Sequence, residues 1–307
     1  MKKIIASILS VLLLSMLFTG CTPRAAKDSS SSSSAAGGDT ITIGSKDFTE
    51  QDILGYILKI LIDENTDLNT RLVNNLGSWI IHEAIKSGEV SIHAEYDGTI
   101  YGNYFGLTET LPTEEITGIA RAGMKERYNI LMLDIIGFNN TYTLSVRPDT
   151  AEKYNLKTFS DLARVSHELT IGSTMEFMNR EDGILGLKRV YNMSFRNELT
   201  VEGALRYTAI MNDEVQITDA FSTDGQLLRF NLVVLEDDLS FFPPYNAAVL
   251  IRQDIADKHP QLIGLLNRLP GTLNDDSMRD LNYRVDVLQE NPEQVARNFL
   301  RSAGLIR

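Results

Sequence analysis

The sequence predicts an α/β protein of two similar lobes, each an open, largely parallel sheet covered by helices. Three observations predict it. Short apolar strands alternate with amphipathic helical stretches along residues 40–307, and such alternation calls for right-handed crossovers and a parallel sheet. The phrase "AIKSGEVSIHAEY" at 84–96 returns as "AIMNDEVQITDAF" at 209–221, with Ala, Ile, Glu, Val and Ile at the same offsets and an aromatic at each end. Cys21 is the only cysteine in 307 residues, so the fold rests on its apolar core, with no disulfide and no thiolate metal site.

The elements follow in order. "ITIGS" at 41–45 is a short alternating strand. "FTEQDILGYILKILIDEN" carries Ile53, Ile57, Leu58, Ile60 and Leu61 as a helical stripe, with Thr49 as a candidate N-cap and Asp52 three residues on. "NTRLVNN" reads as a strand, "SWIIHEAIKSG" as a helix closed by Gly88, and "EVSIHAEY" as the next strand. In the second half "ELTIGSTMEF" is a strand with its exit loop. "GILGLKRVYN" and "VEGALRYTAIMND" are helices, and "EVQITDAF" and "FNLVVLEDD" are strands. Residues 254–305 are mostly helix, broken at Pro260, Pro270-Gly271 and Pro292.

Ligands of open α/β sheets sit off the carboxyl ends of the strands, where Tyr96 and Phe221 fall in their respective halves. The repeat then means two lobes that each offer a ring to a shared cleft. A chance recurrence of a common α/β pattern is the other reading.

The amino terminus has the form of an export signal. Lys2 and Lys3 precede an apolar run at 4–18, and Thr19-Gly20-Cys21 follows. The run is short for a spanning helix, which needs about 20 apolar residues. A cysteine after Thr-Gly resembles the bacterial lipobox, which predicts a signal over 1–21 and a mature chain lipidated at Cys21, outside the cytoplasm. An ordinary signal with an incidental cysteine is the alternative. Residues 22–39, with six serines at 29–34 and Ala-Ala-Gly-Gly after them, read as a flexible tether.

Catalysis finds little support. There is no Gly-x-Ser-x-Gly elbow, no Walker loop and no dinucleotide glycine turn. His82, His93, His167 and His259 show no metal-ligand spacing and read as packing or surface residues. Glu181 and Asp182 read as a turn before Gly183. A net charge of −12 argues against nucleic acid. The aromatics say more. Tyr142 lies in "GFNNTYTLSV", a crossover strand; Tyr207 lies on the helix before Phe221; Tyr245 lies in "FFPPYNAAV", where the chain can cross back. Several rings at element ends suggest a box for a quaternary ammonium, a cation with no N–H to donate that ring quadrupoles must hold.

"ITIGSKDFTEQDILG", "EYDGT", "GFNNTYTLSVR", "EFMNREDGILGLKRVY", "AFSTDGQL", "VVLEDD", "FFPPYNAAV" and "LNYRVDV" together resemble the osmoprotectant-binding lipoproteins of ABC importers, over essentially the whole mature chain. The resemblance implies a type II periplasmic-binding fold, with lobe one at 40–143 and 245–307 and lobe two at 144–244. It implies a binding protein for choline, glycine betaine or carnitine with no cofactor and no turnover, monomeric, serving a permease with its ATPase subunits. Carried over by motif, the ligand residues are Tyr96, Thr99, Tyr142, Tyr207 and Gln51, with Phe221 where the family has a fourth tyrosine. Asn140, Arg180 and Tyr245 are further candidates.

Two departures bear on ligand choice. Asp97 stands where Thr or Asn is common, and Trp79 where small residues are usual. If turned inward, Asp97 favours a plain cation such as choline over a zwitterion; if it faces solvent or caps the following turn, it does not choose the ligand. A protein of this fold for another amine or a small aromatic solute, and an exported enzyme or sensor, are the competing functions.

Overall fold

The computed structural model describes residues 40–180, 183–201 and 203–307. The leader, Cys21, the tether and the turn expected at Glu181 and Asp182 lie outside the described residues. The strands are β1 (Thr40–Lys46), β2 (Asn69–Leu76), β3 (Ile92–Tyr96), β4 (Ile130–Asn139), β5 (Tyr142–Val146), β6 (Thr170–Ser173), β7 (Asn197–Thr200), β8 (Ile217–Phe221), β9 (Val233–Val234) and β10 (Asn246–Arg252). They form two five-stranded sheets, ordered β2-β1-β3-β10-β4 and β7-β6-β8-β5-β9.

The sheets share one plan. β1 pairs in parallel with β2 and β3, as β6 does with β7 and β8. The fourth strand of each is antiparallel to both neighbours: β10 to β3 and β4, and β5 to β8 and β9. The repeated phrase leads into β3 and β8, the central strand of each sheet.

Its cause is packing. A Cβ added at Gly44 of β1 would come within 3.0 Å of Val90 Cγ1, and one at Gly172 of β6 within 2.8 Å of Val215 Cγ1. Val90 and Val215 are the repeated valines, and each needs the glycine of a Thr-Ile-Gly-Ser strand opposite it. The adjoining amides bond alike, Ser91 N–H to Thr42 O at 2.7 Å and Gln216 N–H to Thr170 O at 2.9 Å. The recurrence therefore marks equivalent places in two lobes.

The helix Thr49–Asn65 buries Ile53, Leu54, Ile57, Leu58 and Leu61 against Ile41, Ile43, Ile92 and Ala94 of the first sheet and Val295 and Leu300 of the last helix. Full burial of each such side chain contributes roughly 1.5–3 kcal/mol. Thr49 is the first helical residue and not the cap, because its hydroxyl bonds Asp286 Oδ1 at 2.5 Å. The helix expected from 201 to 213 is confined to Leu205–Met211, and the strand expected over 230–238 to Val233–Val234. Tyr142 and Thr143, placed with lobe one by sequence, are the first residues of β5 in the second sheet.

Candidate functional site

The site is built where the chain passes between the sheets. Asn140 and Thr141 carry it from β4 to β5, and residues 243–245 bring it back into β10. The two crossings are bonded side by side, Asn140 N–H to Tyr245 O at 3.0 Å and Tyr245 N–H to Asn139 Oδ1 at 2.7 Å. Ser222, just past β8, joins them by donating its N–H to Thr141 O at 2.9 Å. The helix Asp275–Asp286 packs across this junction. Arg279 Nη2 donates to Ser222 O at 2.6 Å and Asn282 Nδ2 to Thr223 O at 2.9 Å. The approach is close because Gly225 has no Cβ; one there would sit 2.6 Å from Tyr283 N.

On the second lobe the rings gather around Tyr142. Its centroid lies 4.6 Å from that of Phe221, 5.3 Å from Phe177 and 5.9 Å from Phe242, with the Arg180 guanidinium 5.8 Å from the Tyr142 ring. The Tyr142–Phe221 contact follows from register, since the two are directly paired across β5 and β8. Phe221 is 38 % exposed, so it presents a face while the others pack behind it.

On the first lobe Tyr96 ends β3 and is buried. Its hydroxyl donates to Glu50 Oε1 at 2.6 Å, and Lys46 Nζ lies 5.2 Å from its ring. Glu50 also accepts from Asn140 Nδ2 at 2.9 Å, tying Tyr96 to the crossing two residues before Tyr142. Burial pushes the Glu50 carboxyl above its ordinary range, against the pull of donors from Tyr96, Thr223, Asn282 and Asn140. Gln51 is buried beside the Tyr96 hydroxyl, and neither atom of its amide meets hydrogen-bond geometry with a partner among the described residues. Thr99 is buried at the start of the π-helical turn Thr99–Tyr104.

A buried polar chain supports Tyr96 from below. Lys46 and Glu95 form an ion pair at 2.5 Å, with side chains 5 % and 0 % exposed. Glu95 Oε1 also accepts Tyr96 N–H at 2.8 Å, and Tyr104 donates its hydroxyl to Glu95 Oε2. Burial lifts the Glu95 carboxyl, but Lys46, His93 and the Tyr104 hydroxyl together outweigh it and leave it below the usual range. Trp79, 58 % exposed, tilts over His82 and Tyr104 at 5.6 and 6.0 Å. Burial brings the neighbouring His93 down to about 4, so it stays neutral.

Three candidate residues have other surroundings than the Tyr142 rings. Tyr207 does not join the Tyr142 group. It is 1 % exposed in a separate cluster with Ala220, Leu227 and Phe230, its hydroxyl bonded to Asp224 and its ring 4.6 Å from Arg206. Asp97 does not turn into the cleft; its carboxylate accepts from Gly98 N, Asn246 N, Asn246 Nδ2 and Thr117 Oγ1 at 2.7–2.9 Å. It is the clasp of a turn, and Gly98 is required beside it because a Cβ there would meet Pro244 O at 2.1 Å. Tyr245 serves the crossing through its backbone and packs against the first core.

Glu50, Lys46, Asn282, Phe177 and Phe242 were missed by sequence reasoning. Phe242 and Glu50 had a signal, since they stand in "FFPPYNAAV" and "FTEQ" beside residues that were chosen. A polar recess of about 830 Å³, lined by Asp63, Asp67, Arg268 and Arg307 among others, opens near the end of the first helix and contains none of these rings.

A family model described as the substrate binding domain of an ABC-type glycine betaine transport system matches residues 39–302. The chain is 38% identical over 306 residues to the carnitine transport binding protein OpuCC of Listeria monocytogenes, covering 98% of this chain and 97% of that one. It is 35% identical to the ergothioneine transport permease/ergothioneine binding protein EgtU of Helicobacter pylori, over 86% of this chain and 48% of that longer protein. The crystal structure of a glycine betaine/carnitine/choline ABC transporter superposes with a TM-score of 0.82 at 32% identity, covering 86% of this chain and 99% of that one. With its two lobes of one plan joined at a double crossing, the chain belongs to the family of substrate-binding domains of ABC-type glycine betaine importers, solute-binding proteins and not enzymes.

Proposed function

We propose that the protein binds a quaternary ammonium osmoprotectant between its lobes, outside the cytoplasm, and delivers it to an ABC permease with its ATPase subunits. The observation that carries this reading is the double crossing that links Tyr96, through Glu50 and Asn140, to the Tyr142–Phe221 pair. Rings on both lobes suit a cation that offers no N–H, and lobe closure over it would exclude water and strengthen each contact. Phe221 replaces a phenol by a plain ring, which keeps the quadrupole and removes one hydroxyl. Gln51 and Thr99 belong to this site as polar neighbours.

Among betaines, the charges around the rings favour a zwitterion. Arg180 places a cationic group at Tyr142, whereas the Asp97 carboxylate is engaged by four donors and Lys46, near Tyr96, is already paired with Glu95. Calorimetric titration should show glycine betaine or carnitine binding more tightly than choline, and Arg180→Ala should narrow that gap. Choline binding tightest would reverse this choice of ligand. The 35% identity to an ergothioneine-binding protein favours a second reading, a bulkier betaine, and the same titration should include ergothioneine.

The lipid at Cys21 is the proposed membrane attachment; among the described residues no helix is long and apolar enough to cross a membrane. Cys21→Ser should leave the protein unprocessed or release it from the membrane. Processed protein that still sediments with membranes would refute the anchor.

A further inference from the structure

Glu50 is 2 % exposed, and among the described residues no cation pairs with it. All its partners are neutral donors. Oε1 accepts Tyr96 Oη at 2.6 Å and Asn140 Nδ2 at 2.9 Å; Oε2 accepts Asn282 Nδ2 at 3.0 Å. The same Asn282 nitrogen donates to Thr223 O, in the turn that leaves β8 of the second lobe. One carboxylate therefore holds the ring at the end of β3, the crossing into β5, and the helix that grips the other lobe.

A buried carboxylate without a cation is costly, and a neutral side chain of the same shape would fill the space at lower cost. Tyr96, Asn140 and Asn282 all donate to it, so its oxygens serve as acceptors, as an ionised carboxylate's do, and the effect falls on its shortest partner. A phenol donating to a carboxylate makes a charge-assisted bond, shorter and stronger than a neutral one. Such a bond fixes the ring plane and leaves the ring richer in electrons, which suits a face that receives a cation.

We infer that Glu50 is a positioning residue for ligand binding, acting through the Tyr96 hydroxyl and linking that ring to the second lobe through Asn282. The role rests on the caged-cation reading of the cleft. It is distinct from ligand contact, because the carboxylate is occupied by protein donors on both oxygens.

The test is a double-mutant cycle on the full-length protein, with glycine betaine as the probe and apo thermal unfolding as the folding control. Glu50→Gln should weaken binding about tenfold in the wild-type background and about twofold or less once Tyr96→Phe has removed the hydroxyl. The same factor in both backgrounds would overturn the role, since it would show that Glu50 acts independently of the phenol. Tyr142→Ala, at a residue with no bond to Glu50, separates the two levels of the account. Binding lost there with no effect of Glu50→Gln overturns the Glu50 role alone; binding retained in Tyr142→Ala overturns the cage and the role together. Should Glu50→Gln fail to fold, Tyr96→Phe alone still decides: a roughly tenfold loss supports the role, and unchanged affinity refutes it.

Discussion

Lys46→Ala loses about 3–5 kcal/mol of folding stability, because it strands the Glu95 carboxylate inside the first lobe. The pair is the most deeply buried ion pair at the site, with Glu95 wholly inaccessible. Removing the lysine leaves that charge with one phenol and one amide as donors, which cannot replace a cation. A loss of this size is a large share of the 5–15 kcal/mol typical of a domain, so the apo variant should melt many degrees lower. Lys46→Met combined with Glu95→Gln should cost much less than Lys46→Ala alone, because neither buried charge remains. Urea unfolding of the apo proteins measures both. A single-variant loss below about 1 kcal/mol would show that water reaches Glu95 and that Tyr96 lacks a dry foundation.

The second large effect is on binding. Tyr142→Ala removes the ring at the centre of the second-lobe group and leaves Phe221, Phe177 and Phe242 without their common neighbour. Tyr96→Ala removes the first-lobe ring and orphans Glu50. Each should cost about 2 kcal/mol or more in glycine betaine binding, beyond the roughly 1–2 kcal/mol of one desolvated ring contact, because neighbouring groups lose their order as well. Tyr207→Phe should leave affinity near the wild-type value. That tyrosine is enclosed by Arg206, Asp224 and Phe230, and its removal registers in stability instead. A strong binding defect in Tyr207→Phe would place it back in the site.

How much was legible in the sequence follows from what each residue's position depends on. The two-lobe plan was legible because it rests on local period and on a repeat whose valines face glycines in matching strands, Val90 with Gly44 and Val215 with Gly172. Tyr142 and Phe221 were legible as strand ends. Asp97 was left open because its surroundings depend on Asn246, 149 residues away in sequence. Tyr207 was named from its place on a helix, which gives a face only; its side chain lies against Arg206 and the partly buried Asp224, contacts that no periodicity encodes. Glu50 was passed over for the same reason. A carboxylate in the first turn of a helix ordinarily serves the helix dipole, and only the fold brings Tyr96, Asn140 and Asn282 to it.

In the function proposed, ring faces on two lobes hold a cation for its charge and not only for its shape. The most direct measurement compares glycine betaine with tert-butylacetate, which replaces the ammonium nitrogen by carbon and keeps the size and the carboxylate. Calorimetric titration of the wild-type protein should show glycine betaine binding at least about 30-fold more tightly, the equivalent of about 2 kcal/mol of cation–ring attraction. Equal affinity for the two compounds would contradict the account, since the rings would then be an apolar pocket indifferent to the charge they enclose.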